Sequence, residues 1–158
     1  MAAVAVENDW VLPDMEEAAA SASNGGLVIE AGRHPLQEMC TNTFVPNPTR
    51  MSVGGAKMMV MTGPNACGKS VYLKQVGIIV YLAHLGSFVP AASATVPIFD
   101  RIVTRIQTLE TLSLGLSAFA VDVNQMSLAL RSASASSLVL VDEFGKGTDE
   151  KDGQVSSP

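Results

Sequence analysis

A chain of 158 residues has the length of one domain, and a make-up of 47% hydrophobic and 16% charged residues excludes a largely disordered chain, a collagen-like repeat and a disulfide scaffold. The net charge of −5 resides in Glu7, Asp9, Asp14, Glu16 and Glu17; elsewhere ten acids balance ten bases, so no basic face marks a nucleic-acid binder. Cys40 and Cys67 stand 27 positions apart without a CxxC or a Cys/His cluster, which argues against zinc and a disulfide framework and for free thiols in a reducing compartment.

The opening MAAVAVENDW lacks a positively charged start and turns acidic at once, unlike a secretory signal or an Arg-rich transit peptide. Residues 1–24, acidic, Ala/Ser-rich and aperiodic, read as a disordered N-terminal tail. Leu27 to Glu30 is apolar and bounded by Gly26 and Gly32, which predicts a strand; Asn42 to Pro48, with two prolines, is expected to be extended or looped. Lys57 to Thr62 (KMMVMT) is the continuous apolar run expected of a strand buried on both faces. The run from Gly68 to about Leu85 has the length of a helix. Gln75 to Phe99 contains no Asp, Glu, Lys or Arg, but Gly86, Pro90 and Pro97 interrupt it, and the apolar part from Val76 to Leu85 is too short to span a membrane. A buried helix is therefore expected there. Ile98 to Ile106, rich in Ile and Val, predicts another strand.

Between Ser117 and Arg131, Phe119, Val123, Met126 and Leu130 recur at the spacing of an amphipathic helix, with Ser117 as its N-cap. Val121 and Leu128 fit a strand almost as well; the length of the segment favours helix. Ser137 to Val141 (SLVLV) predicts a second buried strand ending at Asp142 and Glu143. Alternation of strand and helix is the pattern of an α/β sheet with parallel strands.

Gly63-Pro64-Asn65-Ala66-Cys67-Gly68-Lys69-Ser70 is a full GxxxxGK[ST] motif between a predicted strand and a predicted helix. Glycines let backbone N–H groups converge on phosphate oxygens, and the helix that follows presents its positive end. Lys69 can reach terminal phosphates and the Ser70 hydroxyl can hold magnesium. The adjacent acids Asp142 and Glu143, at the C-terminal end of a predicted parallel strand, can divide the remaining chemistry: Asp142 towards hydrated magnesium, Glu143 towards a water in line with the γ-phosphate. Alone, such a pair is as easily a solvated strand-ending turn; the phosphate loop changes that balance. His84, within the apolar helix, reads as structural. His34, in Gly32-Arg33-His34-Pro35, has no role that spacing assigns.

TGPNACGKSVYLKQVG, GSFVPA, FDRIVTRI and LVLVDEFGKGT, preceded by GRHPL and FVPNPT, resemble the ATPase domain of MutS-family proteins from about Leu27 to Gly153. LSLGLSAF and DEFGKGT look most like the meiotic homologue-five branch, since mismatch-recognising members usually carry Arg where Leu116 and Lys146 stand. The resemblance implies a P-loop NTPase fold of ABC type, a three-layer α/β sandwich here incomplete, over residues 25–153, with 154–158 a divergent tail. It implies ATP and Mg as cofactors, Phe44 stacked on adenine, and Ser117 as the signature serine that approaches a partner subunit's γ-phosphate. It also implies another MutS homologue as heterodimer partner, a nuclear location, no membrane, and DNA contacts made by regions outside this chain. The family's small hydroxyl residues after Gly147-Thr148 are replaced by Asp149 and Glu150, acids that would face the partner's phosphates. On this reading the chain is a fragment truncated at both ends and inactive by itself. The alternatives are the nucleotide half of a mitotic mismatch-repair member, and a non-catalytic product that binds nucleotide or the family partner.

Overall fold

The structure is a computed structural model that describes residues 2–17, 26–52, 55, 57–106 and 118–143. Ten elements follow in chain order: α1 (Ala2–Glu7), β1 (Asp14–Glu16), β2 (Gly26–Gly32), α2 (Pro35–Cys40), β3 (Asn47–Ser52), α3 (Lys69–His84), β4 (Ser93–Pro97), β5 (Arg101–Arg105), α4 (Ala118–Ser132) and β6 (Ser137–Val141). The molecule is mixed α/β. One sheet has the order β1-β4-β2-β3, with β1 parallel to β4 and the other two pairings antiparallel. The second sheet is β5 and β6, parallel, with Arg101 opposite Ser137 and Arg105 opposite Val141.

Helix α3 joins the two sheets. Val76, Ile79, Val80 and Ala83 follow the helical period and are buried in one cluster with Leu27 and Ile29 of β2, Ala94 and Val96 of β4, and Leu138 and Leu140 of β6. The helix ends where the N–H of Gly86 bonds the carbonyl of Ala83 and that of Ser87 bonds Leu82. His84 fastens the turn to the next strand: its Nδ1–H donates to the Val80 carbonyl at 2.8 Å and its Nε2 accepts the Phe99 N–H at 2.9 Å. Among the described residues no helix is long and apolar enough to cross a membrane.

Helices α3 and α4 and strands β2, β5 and β6 lie where the sequence predicts them, and β3 is a strand that the two prolines concealed. Three expectations are corrected. The strands do not make one parallel sheet: β2 pairs antiparallel with β3 and β4, and β5 and β6 form a separate parallel pair among the described residues. Residues 2–17 are not a disordered tail: Asp14, Met15 and Glu16 pair with Thr95, Val96 and Pro97, Val11 bridges Val89, and Ala5 and Pro13 are buried. Arg33 holds this segment by donating to the carbonyls of Asn8 (2.7 Å) and Asp9 (3.0 Å). The acids that made the segment look like a tail remain largely on its outside, with Glu7, Asp9, Asp14 and Glu17 exposed, so charge and strand pairing do not compete. Nor is Lys57 to Thr62 a buried strand. It is irregular, with Met58 78% and Val60 77% exposed. An apolar run becomes an interior strand only with a ladder to join, and among the described residues β5 and β6 pair only with each other.

His34 has a role that its spacing did not show. It is the N-cap of α2, its Nδ1 accepting the Gln37 N–H at 3.2 Å, with Pro35 in the first turn. Burial lowers its pKa from the ordinary 6.5; a backbone hydrogen bond opposes this in part, and the positive charge of Lys74 adds a smaller push in the same direction as burial. A protonated Nδ1 cannot accept, so the cap requires the neutral ring. The unfolded chain takes up this proton before the folded one does, so stability is full above pH 6.5 and is lost as pH falls through the lower folded value. Urea unfolding across this range is expected to show that slope, and His34→Asn, which caps without titrating, to flatten it. At neutral pH His34→Ala should cost about 0.5–2 kcal/mol.

Candidate functional site

Residues 62–68 form an exposed loop between irregular chain and the first turn of α3. Ala66 (φ 62°) and Gly68 (φ 97°) are in the left-handed region, and Gly68 caps the helix without a side-chain hydrogen bond. The first helical N–H with an acceptor is that of Tyr72, to the Gly68 carbonyl at 2.9 Å. The N–H groups of the preceding turn have no helical carbonyl to bond, and they point from an exposed loop at the positive end of a 16-residue helix. Lys69 folds back over the loop: its Nζ donates to the carbonyls of Gly63 (2.7 Å) and Pro64 (2.6 Å) and lies 3.7 Å from Cys67 Sγ. Pro64, Asn65, Ala66 and Cys67 are all exposed, and Ser70 is half-buried one residue into the helix.

The direction of α3 decides what this loop faces. His84, its last residue, bonds Phe99 just before β5 begins. Gly77, in its middle, lies so close to β6 that a Cβ there would come within 2.9 Å of Leu140 Cδ1. The helix therefore runs antiparallel to β5 and β6, and its N-terminal end points to the edge where both strands finish. Asp142 and Glu143 lie at that edge. Asp142 is 7% exposed, and its N–H extends the ladder by donating to the Arg105 carbonyl at 2.8 Å. Glu143 is exposed with φ 48°, a left-handed conformation that few non-glycine residues hold.

The remaining described residue that the sequence singles out, Phe44, precedes β3. Phe44 is half-buried in irregular chain three residues ahead of Asn47. The Asn47 carbonyl accepts from Gln75 Nε2 at 3.3 Å, and Thr49 Oγ1 lies 2.8 Å from the Tyr72 hydroxyl. Both helical partners are within two turns of Lys69, so the segment bearing Phe44 is fastened to the phosphate-loop end of α3. Tyr72 and Gln75 were passed over in the sequence because they sit inside an apolar helix; polar residues three apart beside the buried stripe are the signal that was available. Ser117, Asp149 and Glu150, together with Leu116 and Lys146, lie outside the described residues. Among the described residues no group of three or more His, Cys, Asp or Glu gathers to hold a metal.

With this geometry in place, comparison defines the class of protein. Residues 59–157 match the family model of MutS domain V, so the chain belongs to the MutS family. It is 47% identical over 148 residues to MutS protein homolog 5 of Caenorhabditis elegans, covering 92% of this chain and 10% of that protein. It is 45% identical over 155 residues to the DNA mismatch repair protein MutS of Clostridioides difficile, covering 97% of this chain and 16% of that protein. To the DNA mismatch repair protein MutS of Thermotoga petrophila it is 47% identical over 131 residues, 83% of this chain and 16% of that one. The chain thus spans between 10% and 16% of the length of these relatives, and their near-equal identities do not single out one branch.

The loop geometry rests on Gly68 in a way that separates conformation from space. A Cβ at that position would meet nothing within 4 Å, so only the backbone angle resists substitution. Gly68→Ala is expected to destabilise the chain by about 1–2 kcal/mol, the cost of left-handed backbone in an L-residue. Urea denaturation checks this, and a smaller loss would mean that the loop relaxes to another conformation.

Proposed function

We propose that this chain carries the phosphate cradle and the acidic pair of a magnesium-ATP site in a P-loop ATPase of ABC type, within a MutS-type protein. The observation that carries the reading is the convergence at one end of α3: an exposed glycine loop with a lysine ammonium over it, free helical N–H groups, and Asp142 and Glu143 beyond the neighbouring strands. An anion with several oxygens satisfies all of these donors at once. Gly63 to Ser70 would surround the β- and γ-phosphates, Lys69 exchanging its two loop carbonyls for phosphate oxygens. Ser70 and Asp142 would hold magnesium, which when bound neutralises phosphate charge. Phe44 would lie against adenine, and Glu143 would accept a hydrogen bond from the attacking water. Ser117 would complete the site of a second, partner ATPase domain.

In the whole protein, ATP binding and hydrolysis would drive a DNA clamp in the nucleus, formed with another MutS homologue and acting on branched DNA in meiotic recombination. A specific observation favours a second reading, mismatch repair: relatives named for that activity match this chain as well as the homolog 5 of Caenorhabditis elegans does.

Cys67 provides a direct test, being exposed within the loop while Cys40 is exposed on α2. Magnesium-ADP is expected to slow alkylation of Cys67 and leave Cys40 unaffected, read by mass spectrometry of labelled peptides. Lys69→Ala should abolish the protection and weaken ADP binding by at least about tenfold, the worth of a charge-assisted hydrogen bond. Equal labelling of Cys67 with and without nucleotide, in folded chain, would overturn the reading. In an intact family dimer carrying this segment, Glu143→Gln should retain nucleotide and slow hydrolysis by about 10²–10⁴. Hydrolysis at the unmodified rate would place that role elsewhere.

A further inference from the structure

We infer that Tyr72, Gln75 and Thr49 form a positioning clamp that fixes the segment bearing Phe44 to the phosphate-loop helix, so that base and phosphates are recognised as one rigid unit; the inference rests on the nucleotide-binding reading above. Tyr72 reaches two pieces of chain from the first turns of α3. Its hydroxyl lies 2.8 Å from Thr49 Oγ1, 3.4 Å from the Pro48 carbonyl and 3.8 Å from Met59 Sδ, which belongs to the chain leading into the loop. One helical turn later, Gln75 donates from Nε2 to the Asn47 carbonyl. Three consecutive residues of β3, Asn47, Pro48 and Thr49, are thereby held by two side chains of α3.

The local structure around Gln75 is costly for a residue that only fills space. Gln75 is 0% exposed, and its Oε1 has no hydrogen-bond partner. A buried amide oxygen left unpaired is destabilising, a cost that a leucine of similar size would avoid. Room for the amide is made by Gly32, where a Cβ would stand 2.7 Å from Gln75 Nε2 and 3.1 Å from the Asn47 carbonyl. Gly32 pairs with Asn47 beyond a register shift in β2, with Ala31 held at φ 48° beside it. A bulge, a glycine and a buried amide thus converge on the Asn47 carbonyl. Bulges re-aim strands in this way next to functional sites. The amide orientation is fixed by the network, since turning it would set Oε1 against the Asn47 oxygen.

Phe44 lies three residues from Asn47, and Lys69 three residues from Tyr72. The clamp therefore sets the separation between a ring that would contact the base and the donors that would contact the phosphates. Loosening it leaves each half intact and decouples them, so a ligand that uses both halves suffers and a ligand that uses only the cradle does not.

The experiment compares ADP with inorganic tripolyphosphate, each with magnesium, by calorimetric titration of the full 158-residue chain and its Tyr72→Phe and Gln75→Leu variants. Tyr72→Phe deletes one oxygen and keeps the ring's packing; urea midpoints are recorded for both variants. The expected result is ADP affinity lowered about five- to tenfold with tripolyphosphate affinity held within about twofold, the loss of one neutral hydrogen bond being worth about 1 kcal/mol. Thr49→Val combined with Tyr72→Phe should be no worse than either alone, as partners in one bond require. Equal losses for ADP and tripolyphosphate would assign the two residues to the integrity of the cradle and overturn the clamp; an unchanged ADP affinity would overturn it as well. Failure of the nucleotide reading has a different signature, namely unmodified chain whose binding of both ligands is absent or indifferent to Lys69→Ala.

Discussion

Helix α3 is packed on one side against β2 and β4 and on another against β6, and the two sheets have no strand in common. Ile79 and Val80, both fully buried, sit at the seam, each contributing about 1.5–3 kcal/mol of burial. Since the helix is the shared wall, its direction fixes which ends of the two sheets can meet. The last turn is tied to the start of β5 through His84, which leaves the first turn, with Lys69 and Ser70, over the finishing ends of β5 and β6. Reversing the helix would move the glycine loop to the opposite edge from Asp142. The site is thus a consequence of packing, before any property of the loop itself.

The loop is electrostatically self-contained. Lys69 is exposed enough to be hydrated, yet its ammonium is placed on two carbonyls of its own loop at 2.7 and 2.6 Å. Such contacts are charge-assisted, and phosphate oxygens can replace them at similar geometry with a full countercharge added. The exchange needs a side-chain torsion and no refolding of residues 63–68. On the proposed reading the loop serves the phosphates alone, and the bonds from Tyr72 and Gln75 to residues 47–49 would extend the site along the molecule.

Legibility in the sequence followed the range of the forces involved. The phosphate loop, α3, α4 and β6 were readable because glycine placement, a 3.6-residue stripe and a short apolar run are local properties. The place of Asp142 and Glu143 at a strand end was readable because the apolar run of β6 precedes them. Strand β1 was not, since its partner Thr95 to Pro97 lies some 80 positions away and nothing local in Asp14 to Glu16 announces the pairing. His34 could have been read from Pro35 and Gln37 as a helix start, but histidine is an unusual cap and the neighbouring Gly32 and Arg33 suggested a turn. Lys57 to Thr62 failed for the opposite reason: composition gave a correct description of a buried strand, while burial is decided by neighbours that composition cannot see.

That difference divides the site itself. The Lys69 loop and the segment bearing Phe44 rest on α3 and the four-stranded sheet, whose Leu27, Ile29, Ala94 and Val96 share one buried cluster with Val76 and Ile79 of α3 and with Leu138 and Leu140 of β6. Asp142 and Glu143 follow β6, which among the described residues pairs only with β5, with Val139, Leu128 and Leu130 exposed. Parallel strands are normally covered on both faces, and among the described residues the Val139 face of β6 stays partly open. On the proposed reading, the groups that grip nucleotide rest on α3 and the four-stranded sheet, and the groups that would polarise water on the β5–β6 pair. Binding and hydrolysis then depend on different packing: loss of contacts around β6 removes the chemistry first, while the cradle, anchored through α3, persists.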